Sequence, residues 1–130
     1  MRSSLQVWGG RILSALPVLA MGFSATMKFL RPPAVVEGFA HFGYQENVIV
    51  ILGVVEVLCA LIYIVPRTSF VGAILVTGYL GGATATHVRI GDPSFIGPVL
   101  LGVVAWGGLF LRDPRVRALV TNSAQISDNK

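Results

Sequence analysis

Cys59 is the single cysteine of this sequence, and His41 and His87 are its only histidines. One thiol cannot close an intramolecular disulfide or supply a dithiol redox pair. Two histidines so far apart, with no cysteine or carboxylate at ligand spacing, make no metal motif. Nucleophile motifs, phosphate loops and dinucleotide fingerprints are also missing. No catalytic residue is assigned, and the chain reads less as an enzyme than as a binding protein or an accessory subunit of a membrane oxidoreductase. Charge is scarce as well: 12% of the residues are charged, about half the share in soluble domains. The basic residues flank apolar runs and form no stripe, which argues against a nucleic-acid partner despite a net charge of +4.

What fills the sequence is hydrocarbon. Of the 130 residues 54% are hydrophobic, and the mean hydropathy is +0.74. Residues 12–27 and 93–111 carry no charge, 47–66 carry only Glu56, and 68–88 only His87. About 20 residues of helix cross the hydrocarbon core, and snorkelling Lys and Arg extend a shorter run. The expected fold is therefore all-α: an integral membrane four-helix bundle in lipid, with spans about 9–30, 47–65, 69–90 and 93–111. Arg11 interrupts the first run, and cleavage behind it would remove Lys28 from its helix. That run is therefore read as a span and not as a cleaved leader.

Four spans put both termini on one side together with the 66–68 turn. Arg2, Arg11, Arg67, Arg112, Arg115, Arg117 and Lys130 fall there, against Lys28, Arg31 and Arg89 opposite. Positive loops stay inside, so both termini are expected to be cytoplasmic. Between spans 1 and 2, Val35, Phe39 and Phe42 recur at helical spacing opposite Glu37 and His41. They predict a short interfacial helix ending at Gly43. Pro17 should kink the first span, and Pro32-Pro33 should end it. Asp92-Pro93 and Asp113-Pro114 each offer an N-cap and a first-turn proline. The second pair is expected to open a basic amphipathic segment to about Val120, closing a domain over 1–121. Residues 122–130 read as a polar, disordered cytoplasmic tail.

Glycine is frequent, at 15 residues. In lipid, helices associate where small residues let their backbones approach. Gly78, Gly81 and Gly82 are expected to pack the third span, and Gly107 and Gly108 the fourth; a dimer seam is a weaker alternative.

Polar residues within spans are costly and mark sites. Glu56 sits about 15 Å below the outer surface, counted from Glu46 at 1.5 Å per residue. It must be protonated, paired, or open to a wet cavity. Lys28 stands near the outer end of the first span, with Ser24 one turn deeper. His87 stands near the outer end of the third, with Thr84 three residues before it and Thr77 seven before that. A bundle would bring Lys28, Glu56 and His87 together, the threonine hydroxyls bonding inward and Arg89 at the headgroups. Each also has a structural role open to it: Lys28 as an anchor, His87 as a bundle hydrogen bond, the Lys–Glu pair as a register lock.

The stretches SATMKF, LGVVEVLCALIYIVPRT, GAILVTGYLGGATATHVRIGDPSF and WGGLFLRDPRVR, in this order, resemble the DoxX-like family of small bacterial membrane proteins. The resemblance implies a four-helix bundle with a polar site onto which Lys28, Glu56 and His87 map. The family takes its name from a quinone-reducing archaeal thiosulfate oxidoreductase, and an animal relative is a receptor-assembly chaperone. Two expectations follow. One is a site for a small lipophilic molecule such as a quinone, in a redox-accessory or binding protein. The other is an assembly or scaffold factor that packs against another membrane protein or a second copy. A proton-coupled transporter is a distant third, because no repeat is visible to alternate.

Overall fold

The computed structural model describes residues 4–128. Its helices are α1 (Ser4–Leu30), α2 (Pro33–Phe42), α3 (Glu46–Ile64), α4 (Ser69–Arg89), α5 (Ile96–Arg112) and α6 (Pro114–Asp128), with a 3-10 turn at Pro93–Phe95 leading into α5. The described residues form no strand. Four segments are long and apolar enough to cross a membrane: Ser4–Leu30, Glu46–Ile64, Ser69–Arg89 and Pro93–Arg112. The chain is a small multi-pass membrane protein.

Each span packs against two others, α1 on α5 and α3, and α4 on α3 and α5, so the four close a ring. Its core joins Met21, Tyr63, Val76, Leu80 and Leu109. Outside, Leu19, Phe23, Leu58, Val71 and Val103 are exposed around the whole girth. A soluble monomer could not show so continuous an apolar coat. In a bilayer it is the lipid-facing surface.

The punctuation follows local chemistry. α1 runs unbroken through the buried Pro17 and stops at Arg31, which takes a left-handed φ of 50° ahead of Pro32-Pro33. α2 ends as expected at Gly43, whose φ of 90° lets the Gly43 and Tyr44 N–H groups bond back to Ala40 and Phe39 carbonyls. Asp92 accepts from the Ser94 N–H and Asp113 from the Arg115 N–H, both at 2.9 Å. These bonds hold both carboxyls below the ordinary range; for Asp113 the Arg115 guanidinium is the larger cause.

Two boundaries differ from expectation. α1 begins at Ser4 and not near residue 9. The roughly 1 kcal/mol that a glycine costs a helix is offset because Gly10 is where α5 comes closest. α6 continues to Asp128, past the expected end near Val120 and through most of the tail read as disordered. After Pro114 no proline or glycine stops it. Arg2 and Lys130, part of the basic count, lie outside the described residues.

Candidate functional site

α1 crosses the ring obliquely. Near Arg112 it presses on α5: a Cβ on Gly10 would lie 2.8 Å from the Arg112 nitrogen, and one on Gly108 2.6 Å from Ser14 Oγ. Near its other end it presses on α3, where a Cβ on Gly53 would lie 2.9 Å from the Phe29 ring and 3.2 Å from Lys28 Cβ. α3 and α4 meet at Gly72, where a Cβ would lie 2.3 Å from the Tyr63 backbone. Helices in contact at one end and splayed at the other leave a cavity.

That cavity, of about 520 Å³, fills the half of the bundle away from the termini. Lys28 and Glu56 meet on its wall, Nζ to Oε2, at 2.7 Å, and are only 8% and 3% exposed. Lys28 also donates to Ser24 Oγ at 2.5 Å and sits 5.9 and 6.0 Å from the Phe39 and Tyr79 rings, within cation–π range. The Tyr79 hydroxyl faces the Glu56 carboxylate. Burying either charge alone would be prohibitive; here each neutralises the other, and Ser24 accepts a second ammonium proton.

His87 lines the same cavity. Its Nδ1 lies 2.7 Å from the Ala83 carbonyl, and Phe42 packs edge-on to its ring at 4.9 Å. A carbonyl can only accept, so Nδ1 carries a proton, and in the uncharged tautomer that fits this bond Nε2 is the acceptor. α2 covers the mouth through Phe39 and Phe42. It is tied down by a Tyr44–Thr86 hydroxyl bond of 3.0 Å and by Arg89, whose guanidinium donates to the Phe42 carbonyl. Arg89, expected at the headgroups, satisfies an orphan carbonyl at the end of α2.

The threonines do not join this group. Tyr79, Ala83 and His87 repeat every four residues, so each step turns only about 40° and all three face the cavity. Thr84 and Thr77 lie about 100° further round. They line a separate groove between α4 and α5, and both hydroxyls bond back along α4, to Leu80 and Ala73 carbonyls. Thr77 also accepts from Trp106 Nε1 at 2.6 Å.

The glycine assignments change in the same way. Gly78, Gly81, Gly82 and Gly107 have nothing within 4 Å of a built Cβ; Gly108 alone of the five is a close contact. Gly78 and Gly82 give the cavity room instead of packing helices, and Gly81 does so for the α4–α5 groove. The close approaches fall at Gly10, Gly53, Gly72 and Gly108.

A second polar group, unforeseen in the sequence, closes the other end. Tyr63 donates to the Ala105 carbonyl at 2.7 Å and meets Ser14 Oγ at 3.0 Å. Arg112 donates to Ser14 Oγ at 2.8 Å, to the Tyr63 carbonyl at 3.2 Å and to Ser69 Oγ at 3.3 Å, with its guanidinium 5.1 Å from the Tyr63 ring. Its partners are 43 to 98 residues away in sequence, which is why no local pattern announces it. Tyr79 had a signal, the four-residue spacing to Ala83 and His87. Among the described residues no group of three or more His, Cys, Asp or Glu could hold a metal ion.

The family model described as the DoxX-like family matches residues 12–108. The chain belongs to that family. The match runs from the first turns of α1 to Gly108 in α5, and so contains Lys28, Glu56 and His87. No curated protein and no solved structure matches the chain.

Proposed function

We propose that the cavity binds a small lipophilic molecule with a polar head, of which a quinone is the best-fitting class. The observation that carries this reading is the buried Lys28–Glu56 pair on the wall of an otherwise apolar cavity of about 520 Å³. Small-molecule sites have this make-up: mostly apolar walls, a few convergent polar groups, about 300–1,000 Å³. A quinone offers two carbonyl acceptors and no donor. The Lys28 ammonium has a third proton beyond those given to Glu56 and Ser24, and His87 Nε2 suits the hydroxyl of the reduced form. Ser24 holds the lysine in place. Thr77 and Thr84 have no part in this site.

The test is a thermal-unfolding screen of the purified protein in detergent, with decylubiquinone and menadione beside a lipid panel, together with native mass spectrometry. The expected result is a quinone-dependent upward shift, lost in His87→Ala without loss of basal stability. No shift with any quinone, or a shift untouched by His87→Ala, overturns the reading.

A second reading has its own observation. The α4–α5 groove, of about 710 Å³, is floored by Gly81 and Gly102 and walled by Ala85 and Val99. Such a surface suits a helix of another membrane protein or of a second copy, as an assembly or scaffold factor requires. A polypeptide or dimer retained in the same mass spectra, with no small molecule, favours this reading.

The arginine asymmetry supports both termini facing the cytoplasm of a bacterial inner membrane. Cysteines introduced at Ser94 and Arg67 report it: an impermeant thiol reagent added to intact cells is expected to label the first and spare the second. The reverse pattern inverts the topology.

A further inference from the structure

The oblique path of α1 leaves a second hollow. Where α1 presses on α5, at Gly10 and Gly108, it stands away from the end of α3, and a groove of about 720 Å³ opens between them. One wall is the α1 strip Val7, Arg11, Ala15 and Val18; the other includes Ile64 and Pro66. The strip is about 16 Å long at 1.5 Å per residue, close to one leaflet's half of a ~30 Å hydrocarbon core.

The mouth of this groove is basic. It presents Arg11, Arg112 and Arg115 against one carboxylate, Asp113. Arg112 is already engaged with Ser14, Ser69 and Tyr63. Arg115 is engaged with Asp113 and the Pro66 carbonyl. Arg11 is exposed, and its guanidinium lies 5.3 Å from the exposed Trp8 ring. An amphipathic tryptophan beside an arginine is the usual furniture of the membrane–water boundary. A cation at the mouth of an apolar slot of leaflet length calls for one molecule with an anionic head and an alkyl chain. Free phosphate leaves the slot empty, and a neutral lipid leaves Arg11 without a net counter-charge.

We infer that the α1–α3 groove holds an anionic phospholipid, its phosphodiester on Arg11 and an acyl chain along Val7, Ala15 and Val18. The site is separate from the Lys28–Glu56 cavity and depends only on the chain spanning a membrane. An Arg11-bound lipid would brace α1 beside the Tyr63–Ser14 hydrogen bond, which ties it to α3 at this end.

The experiment is native mass spectrometry of the full chain in detergent, titrated with phosphatidylglycerol or with phosphatidylcholine of the same acyl chains. Phosphatidylglycerol is expected to be retained about fivefold better, the effect of one basic residue beside an anionic head. Arg11→Ala should remove the preference, and Ala15→Trp should expel the lipid by filling the slot. Arg67→Ala, at the same end but outside the groove, should change nothing. Both Arg11 and Ala15 are exposed, and a thermal melt confirms that their variants fold. Equal retention of the two lipids overturns the site. So does a preference that survives Arg11→Ala, or one lost equally in Arg67→Ala, which would mean diffuse surface charge. Displacement of the lipid by millimolar inorganic phosphate would mean a free-phosphate site, and overturns it too.

Discussion

The two ends of this bundle use the same materials to opposite effect. At the Arg112 end, three glycines (Gly10, Gly72 and Gly108) let backbones touch, and the inward polar side chains Ser14, Tyr63, Ser69 and Arg112 bond to one another or to backbone carbonyls. At the His87 end Gly53 makes one such contact, but Gly78, Gly82 and Gly97 face open space, and polar side chains ring a cavity. One end is closed by small residues and the other is opened by them. The comparison teaches that a membrane bundle packs by van der Waals contact, so a missing side chain either admits a neighbour or leaves a hole. The proposed binding site lies at the end with the hole.

The contrast can be broken most violently at Gly72. A leucine there drives carbons into the Tyr63 backbone, which cannot move aside as a flexible side chain would. Overpacking usually costs about 1–3 kcal/mol, and a backbone clash exceeds that, so Gly72→Leu is expected not to yield folded protein. Gly78→Leu places the same side chain in the cavity wall. It should leave the melting temperature in detergent nearly unchanged while abolishing any quinone-dependent shift. If the two leucines destabilise equally, the two ends are not different in kind.

The next effect lies in the open end. Glu56→Gln or Lys28→Met alone strands a buried charge and is expected to cost about 3–5 kcal/mol. The double variant should cost less than the sum, with a coupling of about 0.5–3 kcal/mol. Thermal or denaturant unfolding of the four proteins measures it. Additive losses would mean that the two charges are solvated separately, as at an ordinary wet surface, and the cavity would lose its central feature.

Much of the open end was legible from the sequence. Glu56 is the one charge in its apolar run, Lys28 and His87 stand at matching depth, and few other groups could answer them. The threonines misled because Thr84, though three residues from His87, lies on the next face of the helix, and a bond back to its own helix satisfies it. The closed end was scarcely legible. Arg112 looks like any arginine at the end of a span, and only the fold brings it to Ser14 and Ser69.

The sequence by itself determined that this chain enters a membrane, crosses it four times and carries an ionisable pair it must bury in company. Those are consequences of hydrophobic run length and of the cost of charge in lipid, both additive along the chain. It also determined the helix ends beside Pro32-Pro33, Gly43, Asp92-Pro93 and Asp113-Pro114, because proline, glycine and aspartate act locally on the backbone. What the tertiary structure decided was rotation and tilt: which face of α4 looks inward, which glycines meet a neighbour, and on which side of α1 each hollow opens. Glycine in a helix carries no sign of what lies opposite, since it has no side chain to express a preference. Only the packing of four helices at once sets that, and with it the difference between a contact and a cavity.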